Sequence, residues 1–318
     1  MKFILVSDFH LLSKTPVSRE DNLVETQFDK LRFILGVAKE EGAVILQAGD
    51  FCDAPRSWYL LPELTDILKE YGVPIYCVFG QHDTYMYNEE TRGRTTLGVL
   101  QKAGLLTVLD PVIPIVLNNP VGGDSDISVY GASFGTNLGR VPSKGFTVGV
   151  AHVSVSDRPL YPNHVYTDAK KYLDQNPEYD LILVADCHRR FEASDEKGRV
   201  LINTGPILRK EANEYNLTHM PKVVLFDTEK PMYKWIDVPA EAPQLVLNRD
   251  HLERASESKS MLDEFVQNIK DQQEKIGSQE YRGTFLDNLW KFTQENEVEK
   301  EALTILAKIT EKKNMEVL

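Results

Sequence analysis

The chain has 318 residues, 42% hydrophobic and 26% charged, which is ordinary for a folded globular protein and enough for one catalytic domain with an appendage. No apolar run reaches the roughly 18 residues of a membrane span, Asp8 interrupts the apolar start too early for a signal peptide, and three cysteines without paired spacing (Cys52, Cys77, Cys187) argue against a disulfide framework, so a cytoplasmic protein with no membrane contact is expected. The net charge of −12 excludes a generally basic nucleic-acid surface; any nucleic acid must be held by local patches, bound metal ions or a partner subunit.

In chain order, the apolar run 3–6 predicts a buried strand. Phe28, Leu31, Leu35 and Ala38 recur at helical spacing and predict a helix over 28–41. A strand at 44–48, a helix at 60–71 closed by Gly72 and Pro74, and a strand at 75–79 follow. This β-α-β-α-β order implies parallel strands joined by right-handed crossovers. From residue 112 the pattern turns strand-rich, with runs at 112–117, 127–131, 147–151, 181–185, 200–203, 223–226 and 234–238, several separated by turns such as Gly122-Gly123-Asp124. The expected fold class is α/β, two mixed β-sheets sandwiched together with flanking helices. Pro239 to Pro243 reads as a stiff linker that ends a catalytic domain at 1–243. The region 244–318 reads as helical, with stripes such as Met261, Leu262, Phe265 and Ile269. It holds 15 acidic and 11 basic residues, so it is no basic nucleic-acid arm.

Five polar clusters sit where predicted strands end: Asp8-Phe9-His10, Gly49-Asp50-Phe51-Cys52-Asp53, Gly80-Gln81-His82-Asp83, Ala151-His152 and Asp186-Cys187-His188. Ligand sites of open α/β sheets form at the carboxyl ends of strands, so the clusters converge on one crevice. Asp-x-His on an extended segment puts both side chains on one face, where both can bind one ion. A single cluster of this kind is commonly chance; five in order at strand ends are not.

The ordered set resembles the calcineurin-like metallophosphoesterases, whose pattern is D-x-H, G-D-x-x-D, G-N-H-D/E, a lone His and G-H-x-H. The resemblance covers about residues 1–240 and implies two divalent metal ions. It implies Asp8, His10 and His188 at the first ion, Asp50 bridging both, and Gln81, His152 and Asp186 completing the second. His82 matches the family's non-ligand histidine near the leaving group, and Asp53 and Asp83 match acidic positions that orient the ligands. Gln81 stands where the family has Asn, and Ala185-Asp186 where it has Gly-His. The third carboxylate lowers the net positive charge of a two-cation site and suits manganese, with magnesium the alternative.

Within that superfamily the chain is most similar to the SbcD-type DNA repair nucleases. Ser7-Asp8-Phe9-His10-Leu11 resembles their S-D-x-H-L start, Asp186 to Arg190 their G-H-x-H-R stretch, and Asn203 to Arg209 their N-P-G-S-x-x-R turn. This implies a DNA exo- or endonuclease subunit, often a homodimer, that docks an SbcC-like ATPase through C-terminal helices, here 244–318. The family's strand-containing cap is reduced or absent. Arg189 and Arg190, beside a ligand, and Arg92 and Arg94, near Tyr85 and Tyr87, are candidates for substrate contact. His164, His219 and His251 read as surface residues. The competing functions are a phosphomonoesterase or small-molecule phosphodiesterase on the same fold, and a catalytically weakened scaffold that binds DNA or an ATPase.

Overall fold

The computed structural model describes residues 1–117, 126–142, 145–230 and 232–250. The expected Gly122-Gly123-Asp124 turn and the expected helices beyond residue 250, with their docking role, lie outside the described residues. Residues Met1–Asn248 form one compact unit.

Its elements run β1 (Lys2–Val6), α1 (Leu23–Glu41), β2 (Val44–Gln47), α2 (Leu61–Tyr71), β3 (Ile75–Cys77), α3 (Thr96–Lys102), β4 (Thr107–Val108), β5 (Ile115–Leu117), β6 (Ile127–Ala132) and β7 (Phe146–His152). Then come β8 (Val155–Ser156), β9 (Thr167–Asp168), α4 (Ala169–Gln175), β10 (Leu181–Ala185), β11 (Phe191–Ser194), β12 (Val200–Asn203), β13 (Lys222–Asp227), β14 (Met232–Asp237) and the single-turn α5 (Pro243–Val246). One six-stranded sheet has the order β14-β13-β1-β2-β3-β4, parallel from β1 through β4 and antiparallel at β13 and β14. The second has the order β11-β12-β10-β7-β6-β5, parallel through its centre and antiparallel at both edges. Both sheets are mixed, as the alternation of elements predicts.

Strand periodicity builds the layers. Ile4 and Val6 face α1 and α2, whereas Phe3 and Leu5 face the second sheet. On β10, Leu181 and Leu183 enter the space between the sheets, and Ile182 and Val184 pack outward against Tyr172 and Leu173 of α4. The result is helix, sheet, sheet, helix. Strands covered on both faces read as unbroken apolar runs, which is why they stand out in the sequence.

Helix ends carry ordinary chemistry. The Asn22 side chain caps α1 by accepting from the Glu25 N–H, and Gly42, at φ 60°, closes it. Residues 243–248 belong to the same compact unit. Val246 and Leu247 are buried with Ala212, and Leu247 pairs with Arg19. The expected strand 112–117 shortens to Ile115–Leu117, because the Asp110 carboxylate accepts the N–H groups of Val112 and Ile113 and turns the chain there.

Candidate metal centre

The parallel strands of both sheets point their carboxyl ends at one region; the last two residues of β7 supply one of the polar clusters, and the loops leaving β1, β2, β3 and β10 supply the other four. Among the described residues, three groups of potential ligands have donor atoms within 4.8 Å of one another: Asp8, His10 and His188; His10, Asp50 and His82; and Asp8, Asp50 and His152. They share members, so they describe one continuous centre.

Asp8, His10, Asp50 and His152 are buried; Asp186 and His188 are partly exposed, and His82 is open to solvent. Asp50 is central. Its Oδ2 lies 3.5 Å from His10 Nε2, 3.6 Å from His152 Nε2 and 4.0 Å from His82 Nε2. Its Oδ1 accepts the His82 backbone N–H at 2.8 Å. The Nε2 atoms of His10 and His188 face each other at 2.8 Å. Asp8 Oδ2 and Asp50 Oδ2 are buried without a hydrogen-bond partner, a costly arrangement unless a cation completes it. Buried imidazoles and orphaned carboxylate oxygens around one point fit divalent cations.

Gln81 and Asp186, the two departures from the family pattern, meet here. The Gln81 amide donates to Asp186 Oδ1 at 2.7 Å, and its Oε1 lies 2.5 Å from His152 Nε2. The longer side chain therefore reaches His152 and Asp186 at once. The His152 ring is held from behind by the Ala48 carbonyl, 2.7 Å from Nδ1, which turns Nε2 toward Asp50.

Backbone strain marks three of the candidate ligand positions. His10, Asp50 and Asp186 have φ of 50°, 50° and 76°, in the left-handed region. The expectation of extended segments with paired ligands on one face therefore fails in its detail. β1 ends at Val6 and β10 at Ala185, and left-handed turns after the strands bring the side chains together. Close approach also needs glycine. A Cβ on Gly80 would sit 2.0 Å from Asp50 Oδ1, and one on Gly49 would sit 2.4 Å from His152 Nδ1.

Asp83 is buried and ties the second and third loops together. It accepts backbone N–H groups from Phe51 (3.1 Å), Cys52 (3.0 Å) and Gly80 (3.0 Å). Asp53 contacts His10 Nδ1 at 3.2 Å, without hydrogen-bond alignment, and pairs with Lys210.

The electrostatics follow from burial. Burial, joined by the charge of Lys210, holds His10 well below its ordinary pKa despite Asp53, so its ring is neutral and free to bind a cation. Burial pushes the Asp50 carboxyl up to about 8; His152 opposes this, and Asp83 and Asp8 add to it. For His152, burial works against a charge, but Asp50, Asp8 and Asp186 outweigh it and raise the pKa. Burial likewise opposes the Asp53 charge, yet His10 and Lys210 hold that carboxyl below the usual range.

The arginine candidates scatter. Arg190 donates to the Met220 carbonyl and lies over the Trp235 ring, and Arg189 is half-buried beside it. Arg92 lies over Phe79 and pairs with Glu89, while Arg94 is exposed in the same turn. One residue emerges that the sequence left unmarked, and one reading is overturned. Lys210 holds Asp53. His219 is not on the surface: it is 4% exposed, its Nε2 lies 2.8 Å from the Pro206 carbonyl and its Nδ1 lies 2.8 Å from the Tyr215 hydroxyl. That hydroxyl accepts the Arg190 N–H, which steadies the loop carrying His188. Tyr215 precedes His219 by one helical turn, the one local signal available.

A family model described as calcineurin-like phosphoesterase matches residues 1–225. Among solved structures, a dimetal phosphatase from Danio rerio is 12% identical, covering 75% of this chain and 99% of that one with a TM-score of 0.42. No curated protein sequence matches the chain. Among the described residues, no helix is long and apolar enough to cross a membrane.

Proposed function

The chain belongs to the calcineurin-like phosphoesterase family and is a metal-dependent phosphoesterase; within that activity we propose that it is a two-metal phosphodiesterase that cuts DNA, with manganese as its preferred ion. The observation that carries the two-metal reading is the pair of buried, unpartnered oxygens, Asp8 Oδ2 and Asp50 Oδ2, set among His10, His152 and His188. Asp8, His10, His188 and Asp50 would hold the first cation; Asp50, His152, Gln81 and Asp186 would hold the second. The chemistry that such a pair of cations supplies is Lewis acidity toward phosphate oxygens and toward water.

The chain's own residues would then position and protonate. His82 anchors Nδ1 at 3.1 Å from the Asp53 carbonyl, which turns Nε2 toward the centre. From there it can give a proton to the leaving oxygen without being a ligand. Asp53, held by Lys210, lies beside the His10 ring, and Asp83 holds the two loops that carry Asp50 and His82. DNA as substrate, an SbcC-like ATPase as partner, a homodimer and the division into 1–243 and 244–318 belong to the same reading and rest on the sequence resemblance.

A substrate panel tests it. The purified chain with manganese should cut single- or double-stranded DNA and bis-p-nitrophenyl phosphate, and chelation should abolish both. Faster turnover of p-nitrophenyl phosphate or of cyclic nucleotides than of DNA would replace the nuclease by a small-molecule phosphoesterase. The contacts of Gln81 with Asp186 and His152 favour a second reading, a scaffold whose second site is satisfied internally. Two manganese equivalents in the purified protein support the enzyme, and fewer than one supports the scaffold.

A further inference from the structure

Beside the metal centre lies a cavity of about 510 Å³, within the roughly 300–1,000 Å³ range of small-molecule sites. It is lined by Asp53, Pro55, His82, Tyr85, Met86 and Tyr87, among others. Asp53 and His82 belong to the metal centre as well, so the two spaces are continuous. A phosphate held at the centre would leave this volume to the organic part of the ester, on the side where His82 faces the leaving oxygen.

The far wall is unusual. Met86 and Tyr87 are 93% and 70% exposed, and both sit in the left-handed region, at φ 47° and 60°. Neither is glycine, so the chain holds two bulky residues in a conformation they avoid. The strained turn is pinned at both ends: the Tyr85 N–H donates to Thr91 Oγ1 at 3.0 Å, and the Asn88 N–H donates to the Tyr85 carbonyl at 2.9 Å. The outcome is an apolar, ring-bearing wall presented to water.

The rings form a continuous strip. Tyr87 lies 5.9 Å from Phe134, which lies 6.3 Å from the ring of His152 in the metal centre. Tyr85 carries the exposed guanidinium of Arg56 over its ring at 5.2 Å. The exposed ring of Tyr87, beside a Tyr85 ring already covered by a cation, suits a flat, uncharged, aromatic group that arrives on a phosphate chain. A flexible aliphatic alcohol would gain apolar contact there but no stacking.

We infer that this cavity is a nucleobase subsite, which takes the base on the leaving-group side of the scissile phosphate and stacks it against Tyr87. The inference rests on the phosphodiesterase reading and narrows it. A base lodged between protein side chains cannot remain paired and stacked in a duplex, so the nucleotide beside the cut must be single-stranded, frayed or swung out.

The test separates this subsite from the chemistry. The full chain is titrated calorimetrically with adenosine and with D-ribose, in wild type, Tyr87→Ala and Tyr87→Phe. Adenosine is expected to bind and D-ribose not. Loss of one stacking partner should weaken adenosine binding roughly 5- to 150-fold in Tyr87→Ala, the equivalent of about 1–3 kcal/mol for one stacked base. Tyr87→Phe should remain within about twofold of wild type, because the ring face is kept. No adenosine binding, equal binding of D-ribose, or unchanged binding by a folded Tyr87→Ala protein each overturns the subsite. Adenosine binding without manganese-dependent hydrolysis of bis-p-nitrophenyl phosphate would sustain the subsite and overturn the phosphodiesterase.

Discussion

Asp83 offers the sharpest test of how the centre is held. Its carboxylate is 1% exposed and accepts three backbone N–H groups, two on Oδ2 (Phe51, Gly80) and one on Oδ1 (Cys52). Burial pushes this carboxyl up in pKa, and the three N–H groups pull the other way, so they are what keeps a charge there worthwhile. Asp83→Ala leaves three buried donors unsatisfied at about 1–3 kcal/mol each, or about 3–9 kcal/mol in total. That rivals the whole stability of a typical domain, about 5–15 kcal/mol, so the alanine variant should fold poorly. Asp83→Asn is the informative change. With its oxygen at the Oδ2 position it keeps Phe51 and Gly80, but its NH₂ then meets the Cys52 N–H, donor against donor. The expected loss is about 2–4 kcal/mol, one unsatisfied group plus the charge assistance to the other two. Because the same loop presents Asp50, manganese content should fall with stability. Urea denaturation at fixed pH, with metal analysis of the same preparation, measures both. An asparagine variant within about 0.5 kcal/mol of wild type and carrying two manganese equivalents would refute the argument.

On the proposed ligand set Asp50 serves both cations, so Asp50→Ala should release both and abolish turnover; metal analysis that still finds two equivalents would remove Asp50 from the bridging position. His82→Ala should keep fold and metal content but turn over roughly 10²–10⁴-fold more slowly, as expected for a lost general acid, and metal loss would make His82 a ligand instead. Asp186→His should raise manganese-dependent phosphodiesterase activity and shift the pH–rate profile downward by restoring positive charge to the site, while Asp186→Ala should deplete the second cation more than the first; wild-type behaviour in both would exclude Asp186 as a ligand. Burial lowers the pKa of His219 to about 4, so its contribution is complete above pH 6.5 and is lost as the pH falls toward 4, when the unfolded chain takes up the proton first. The difference in urea stability between pH 7 and pH 4.5 should therefore be smaller in His219→Gln by up to about 3 kcal/mol, and equal pH dependence would contradict it.

The central strands were readable because both their faces are covered. Runs such as Leu181–Ala185 have no polar side and no helical alternative of adequate length. The ligand clusters were readable because strand ends gather what short motifs scatter. Other features left no trace. The two-residue strands Thr107–Val108 and Thr167–Asp168 exist by pairing with distant partners, not by composition. α1 begins at Leu23, five residues before the expected start at Phe28, because the Asn22 side chain caps it there and Gln27 turns inward to bond both backbone groups of Leu12. Lys210 and His219 have chemical meaning only through contacts with Asp53 and the Pro206 carbonyl, which no local pattern encodes.

The place of β1 in its sheet bears on how the protein is made. Lys2–Val6 lies between β2 and β13, so one edge is covered early and the other waits for Lys222–Asp227. Asp8 and Asp186, joined at the centre by the Asp186 N–H donating to Asp8 Oδ1, lie 178 residues apart in the chain. A ribosome adding about 5–20 residues per second needs roughly 10–45 s to go from the first strand to its second neighbour. Through that interval the growing chain can close no complete cation site and carries an open, apolar strand edge of the kind that invites mispairing. Yield in cells should therefore respond to translation speed and chaperone supply more than to manganese in the medium.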